Sequence, residues 1–124
     1  TEPRIVDWLS GACLMVRGET FTAIGGFDEG YFMFVEDVDL CFRAKKLGWR
    51  SLFIPEASLT HLGAHSTGPR MGEMVKAHHR SMRKFLFRLY EGPLYWPIRQ
   101  AIRLGLGLRS AIAPLRYRHT KTDA

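Results

Sequence analysis

Cysteine is scarce in this chain, with only Cys13 and Cys41 in 124 residues. Neither has a second thiol nearby at metal-site spacing, which argues against a disulfide framework and against a self-contained zinc site. Both stand in segments that read as buried, one strand and one helix. A His-Glu-x-x-His pattern is also missing. His61 and His65 are four apart, but Gly63 between them opposes the helix that such a pair needs. Long uncharged apolar runs are lacking too. The late segment 94–115 is rich in leucine and isoleucine yet carries Arg99, Arg103 and Arg109, which count against a transmembrane span. There is no internal repeat and no secretion-signal pattern. The chain opens abruptly on a strand-like segment, and the expectation is a cytosolic protein, cut from something longer.

Acidic residues are scarce in one half only. Residues 69–124 hold three Asp/Glu against twelve Lys/Arg, whereas residues 1–68 hold nine against six, so the net charge of +6 hides two opposite balances. The first part suits a carboxylate-lined site, and the second suits an anionic partner surface. With 46% hydrophobic and 24% charged residues the chain is expected to fold, as one domain with a core of modest size.

The apolar stretch 5–17, rich in small residues at its centre, reads as a strand buried on both faces with something close against Gly11. A short helix from Glu19 to Ile24 follows, ended by Gly25-Gly26. The aromatic loop from Phe27 to Phe34 is expected to pack inward. A second helix starts near Asp37, with Arg43, Lys45 and Lys46 toward its C-terminal end, where cations suit the macrodipole, and Gly48 closes it. Trp49–Ile54 and Ser58–His61 read as strands. Pro69 suits the first turn of a long amphipathic helix of about five turns. Its apolar stripe includes His78, expected to be packed, and Gly92-Pro93 breaks the helix. The chain thus divides into residues 1–68, a basic helical extension over 69–116, and a flexible tail over 117–124.

Glu36-Asp37-Val38-Asp39 gathers three carboxylates at a helix start, where amide donors and the macrodipole stabilise negative charge. Plain capping accounts for such a cluster, and so does a rigidly held general base. His61 ends a strand-like segment and suits either a core or a cleft.

Several motifs in order carry a resemblance: Asp7-Trp8-Leu9-Ser10-Gly11-Ala12 with Arg17, then Gly25-Gly26-Phe27-Asp28-Glu29. Phe32-Met33, Glu36-Asp37-Val38-Asp39-Leu40-Cys41 with Arg43, and Gly48 come after them. Over about residues 5–67 the chain resembles the C-terminal half of the bacterial family-2 glycosyltransferases, most of all their rhamnosyltransferase-like branch. The basic helix around His79-Arg80-Ser81 and Phe85 is similar to the next segment of that branch.

This resemblance implies an α/β chain with few strands, the acceptor-side part of a GT-A (Rossmann-like) fold, followed by basic amphipathic helices. It makes Asp37 the general base and His61 a ligand of a divalent ion, Mg²⁺ or Mn²⁺. Trp8, Asp28 and Glu36 become acceptor-binding residues. The implied reaction is inverting transfer of a sugar, rhamnose among the candidates, from a nucleoside-diphosphate-sugar donor to a hydroxyl of a glycan or lipid-linked glycan of the cell envelope. No Asp-x-Asp precedes the Asp7-Trp8 segment, so half of the metal site and most of the nucleotide site are absent, and the chain alone is expected to be inactive. The implied location is the cytoplasm, with the basic helices against an anionic inner membrane face or packed on protein. The alternatives are a non-catalytic glycosyltransferase-like scaffold or membrane-associated module, and a nucleic-acid binder, for which no motif exists.

Overall fold

The computed structural model describes residues 2–62 and 71–119, with the backbone alone for Met71 and residues 113–119. It is mixed α/β, with two short strands and four α-helices among the described residues. Two compact units divide it: Thr1–Tyr31 with Val35–Gly63, and Phe32–Phe34 with Ala64–Ala124. His65, Pro69 and the loop around them lie outside the described residues.

In the first unit, β1 (Arg4–Val6) pairs antiparallel with β2 (Ser51–Phe53), Ile5 standing opposite Leu52. The long buried strand expected over 5–17 is not formed beyond Val6, and both Ile5 and Leu52 remain exposed. The reason is local. The Ser10 hydroxyl accepts from the Ala12 amide and the Ser10 carbonyl from the Cys13 amide, which folds the small-residue centre into a turn. Cys13 is consequently exposed rather than buried, while Cys41 is buried as expected, and both thiols are free. Ser58–His61 is irregular instead of a strand.

Helix α1 (Gly18–Ala23) ends where the glycines predict. Gly25 and Gly26 both take positive φ, and the Gly26 amide returns to the Phe21 carbonyl. Helix α2 (Glu36–Lys46) turns Leu40, 2% exposed, and Cys41 inward with Tyr31 and Val35. Of the aromatic loop only Tyr31 is buried. Phe27, Phe32 and Phe34 are exposed, Phe27 meeting Phe21 edge-on with centroids 5.7 Å apart.

In the second unit, α3 (Met71–Leu89) packs along α4 (Trp96–His119). Gly92, at φ +100°, and a 3-10 turn at Pro93–Tyr95 join them, so the break falls where Gly92-Pro93 predicts. Helix α3 uses two faces, and the apolar periodicity reveals one. On the first, the Ser81 hydroxyl donates to the Met33 carbonyl at 2.7 Å, and His78 packs edge-on against the Phe34 ring with centroids 5.5 Å apart, at the surface rather than in a core. On the second, His79 is the buried imidazole, 7% exposed, its Nδ1 2.8 Å from the Ser110 hydroxyl of α4.

Burial pushes the His79 imidazole below its ordinary 6.5, and the charges of Arg109 and His78 add to that. Between the folded value and 6.5 the unfolded chain binds more protons, so stability rises with pH there. The contribution is present above 6.5 and lost as pH falls through the folded value. Thermal melts are therefore expected to shift down on acidification below 6.5, and His79→Gln to flatten that slope. An unchanged slope in the variant removes His79 from the account.

Candidate active site

The N-terminal turn of α2 holds the acidic cluster, but its geometry is not that of plain capping. Val35 is the N-cap, at φ +70° beside Phe34 at +66°. A β-branched residue in the left-handed region is rare and costs about 1–3 kcal/mol. The Asp39 amide starts the helix by donating to the Val35 carbonyl at 2.9 Å.

Asp37 is therefore already inside the helix, and its carboxylate is half-buried. The Val38 amide donates to its Oδ1 and the Gly11 amide to its Oδ2, each at 2.8 Å. Gly11 thus packs against Asp37. A Cβ built on it would lie 3.5 Å from the Asp37 Cβ, an ordinary contact, so what matters at this position is the amide. A carboxylate offers about four acceptor positions. Two fix the group in orientation, and the others stay available to a hydroxyl.

Glu36 precedes it on the same turn. Its Oε2 is sealed from solvent and has no donor among the described residues. A buried oxygen without a partner is costly, so this carboxylate adds strain to the turn that carries Asp37. Asp28 is engaged locally, its Oδ1 accepting from the Gly30 amide at 2.9 Å. Trp8 is 51% exposed, three residues before Gly11, and His61 is exposed as well.

Behind these residues lies a network that sequence reading did not find. Asp39 has no solvent exposure. The Arg43 Nε donates to its Oδ2 at 2.7 Å, and the Tyr31 hydroxyl donates to its Oδ1 at 3.1 Å. The two remaining Arg43 nitrogens donate to the carbonyls of Ile24 and Gly26, just past the end of α1. Arg43 therefore binds α2 to α1, a stronger role than the dipole pairing its position suggested. The i, i+4 spacing of Asp39 and Arg43 was the available signal. At the surface, Lys45 lies 2.7 Å from Asp7 and holds that carboxyl below its ordinary range, although so exposed a pair adds little stability.

The model of the family described as glycosyltransferase like family 2 matches residues 2–84, more than half of the chain and the whole of the Asp37 turn. The chain belongs to this glycosyltransferase family. It is 45% identical over 124 residues to N-acetylglucosaminyl-diphospho-decaprenol L-rhamnosyltransferase of Mycobacterium tuberculosis, covering 95% of this chain and 40% of that protein. It is 34% identical over 84 residues to rhamnosyltransferase WbbL of Escherichia coli, covering 68% and 32%. O-antigen biosynthesis protein RfbC of Myxococcus xanthus is 29% identical over 89 residues, 70% of this chain and 7% of that one. The family-2 chain thus spans two-fifths or less of the length of these relatives. No solved structure matches it.

Family-2 enzymes generally depend on a divalent metal. Among the described residues no three His, Cys, Asp or Glu side chains come together to hold one. The described residues therefore do not by themselves fit a metal centre.

Proposed function

We propose that the protein to which this chain belongs transfers rhamnose from a nucleoside-diphosphate sugar to a hydroxyl of a lipid-linked diphosphate glycan, with inversion at the anomeric carbon. The observation that carries this reading is Asp37: a carboxylate fixed by two backbone amides at a helix start, with acceptor positions to spare. Family membership and the 45% identity to a rhamnosyltransferase named for a diphospho-decaprenol acceptor support the chemistry.

In this reading Asp37 accepts the proton of the acceptor hydroxyl while that oxygen attacks the anomeric carbon. The bond from that carbon to the diphosphate oxygen breaks as the new one forms, and the nucleoside diphosphate leaves with the electron pair. One displacement gives one inversion. Glu36, next to Asp37 on the same turn, is the second acceptor-side carboxylate of this reading. Trp8 offers an exposed aromatic face to the sugar ring, and Asp28 shapes the loop beside it. No described partner occupies the His61 imidazole. It would supply one ligand of a divalent ion, Mg²⁺ or Mn²⁺, whose remaining ligands come from outside the described residues.

The full-length enzyme, given nucleoside-diphosphate-rhamnose and a polyprenyl-diphosphate glycan, is expected to yield a glycoside of inverted configuration, read by NMR of the anomeric proton. Retained configuration, or no transfer with this donor and acceptor, overturns the reading. His61→Ala is expected to move the metal titration of donor binding to higher concentration, and an unchanged titration removes His61 from the site.

We further propose that the second unit lies against an anionic membrane face. No helix among the described residues is long and apolar enough to cross a membrane. Helix α4 instead exposes Leu104, Leu108 and Ile112 at four-residue steps, with Trp96 at its start and Leu94 just before it.

A further inference from the structure

The second unit contains a groove that the transfer chemistry does not use. It lies between α3 and α4, encloses about 300 Å³, and is lined on one wall by Lys76, His79, Arg80 and Arg83. The opposite wall is Leu106, Gly107, Ser110 and Ala111 of α4. Lys76, Arg80 and Arg83 recur at four- and three-residue steps, so all three stand on one helical face. None of them forms an ion pair or hydrogen bond with another described residue. Three exposed cations side by side repel one another, and the arrangement is relieved by an anion of more than one charge.

The small residues of α4 make the space. Gly107 has nothing within 4 Å of where its Cβ would stand. The Ser110 hydroxyl and the buried His79 supply polar groups at the floor, linked at 2.8 Å. The apolar stripe of α4 runs along the edge of this wall. Leu104 is three residues before Gly107 and Leu108 three before Ala111, and these leucines are 73% and 65% exposed. Cations beside bare leucines match a ligand with a phosphate head and a hydrocarbon tail.

We propose that the groove between α3 and α4 binds the diphosphate of a polyprenyl-linked acceptor, with Lys76, Arg80 and Arg83 on its oxygens and Leu104 and Leu108 along the first units of the chain. The proposal rests on the lipid-diphosphate acceptor advanced above, and it adds where on the chain that acceptor is held. Guanidinium groups suit the task, since their fork matches phosphate oxygens in pairs.

The test uses the full-length protein and flotation with phosphatidylcholine vesicles carrying a few per cent polyprenyl diphosphate. Binding is expected, and Arg80→Gln and Arg83→Gln should each weaken it by about tenfold, the scale of losing one charge-assisted hydrogen bond. Gly107→Glu is the second variant. It puts a carboxylate into open space and raises helix propensity, so it keeps the fold while opposing the anion. It should abolish binding, whereas Arg50→Gln, outside the groove, should leave it unchanged.

Flotation with phosphatidylglycerol vesicles of matched charge is expected from the membrane-facing second unit but should not respond to the groove variants. If Arg80→Gln, Arg83→Gln and Gly107→Glu weaken it as much as they weaken binding to the polyprenyl diphosphate, the groove is part of a general membrane surface and the proposal is overturned. Binding of free pyrophosphate or a nucleoside diphosphate as tightly as the lipid overturns it in favour of a soluble phosphate ligand. In transfer assays the groove variants should raise KM for the lipid acceptor and leave kcat unchanged. Transfer with an unaltered lipid KM sinks the groove alone, whereas lipid binding without any transfer sinks the glycosyltransferase reading and leaves the groove standing.

Discussion

Asp37→Asn in the full-length enzyme is expected to lower transfer by about 10²- to 10⁴-fold, the usual range for loss of a general base, while donor binding changes little. Asparagine keeps the size of the side chain and one acceptor oxygen, but its amide cannot take a proton. It also changes the local hydrogen bonding. Two backbone amides donate to the carboxylate, one to each oxygen, and the NH₂ of asparagine faces one of them donor to donor. The structural and chemical effects are therefore measured separately. A thermal melt and a donor titration report the first, and single-turnover transfer reports the second. Near-normal turnover removes Asp37 from the base role. A loss of transfer matched by loss of donor binding and a large fall in Tm would make it a post of the fold.

The second large effect belongs to Arg43, which touches no proposed substrate. Arg43→Met leaves the Asp39 carboxylate without its cation at a position of zero exposure and frees the carbonyls of Ile24 and Gly26. Removing one partner of a buried pair costs about 3–5 kcal/mol, a large part of the stability of a typical domain. A fall in Tm of about 10 °C or more is expected. The double variant Asp39→Asn with Arg43→Met should recover part of that loss, because the stranded charge is gone. A single variant that melts within about 2 °C of the wild type shows that the network does not hold α2 to α1.

Where the backbone's partners are local, the sequence was legible. Gly25-Gly26 and Gly92-Pro93 stop their helices because the conformations required there are written in single residues. The run from Glu36 to Lys46 is helical as its apolar stripe and charge order indicate. Legibility failed where an amide's partner lies far along the chain. The stretch after Val6 is apolar enough for a strand, yet the Gly11 amide is taken by Asp37, 26 residues away, and the Ser10 side chain turns the backbone. Similarly, an apolar stripe singled out His78, while α4 selected the adjacent face of α3 and buried His79. At the candidate site, the order of the motifs pointed to Asp37. The amides that orient it and the orphaned oxygen of Glu36 needed three dimensions.

Helix α2 places its two tasks within its first two turns. Glu36 and Asp37 serve the proposed chemistry, and Asp39 with Leu40 and Cys41 faces the interior. A helix advances about 100° per residue, so one residue inserted or deleted between Asp37 and Asp39 would rotate one against the other, and the contact of Asp37 with Gly11 and that of Asp39 with Tyr31 could not both be kept. Neither half can drift in register without disabling the other. This stretch is therefore closed to changes of length as well as to loss of either carboxylate, and descendants of the gene should inherit its spacing as one indivisible block.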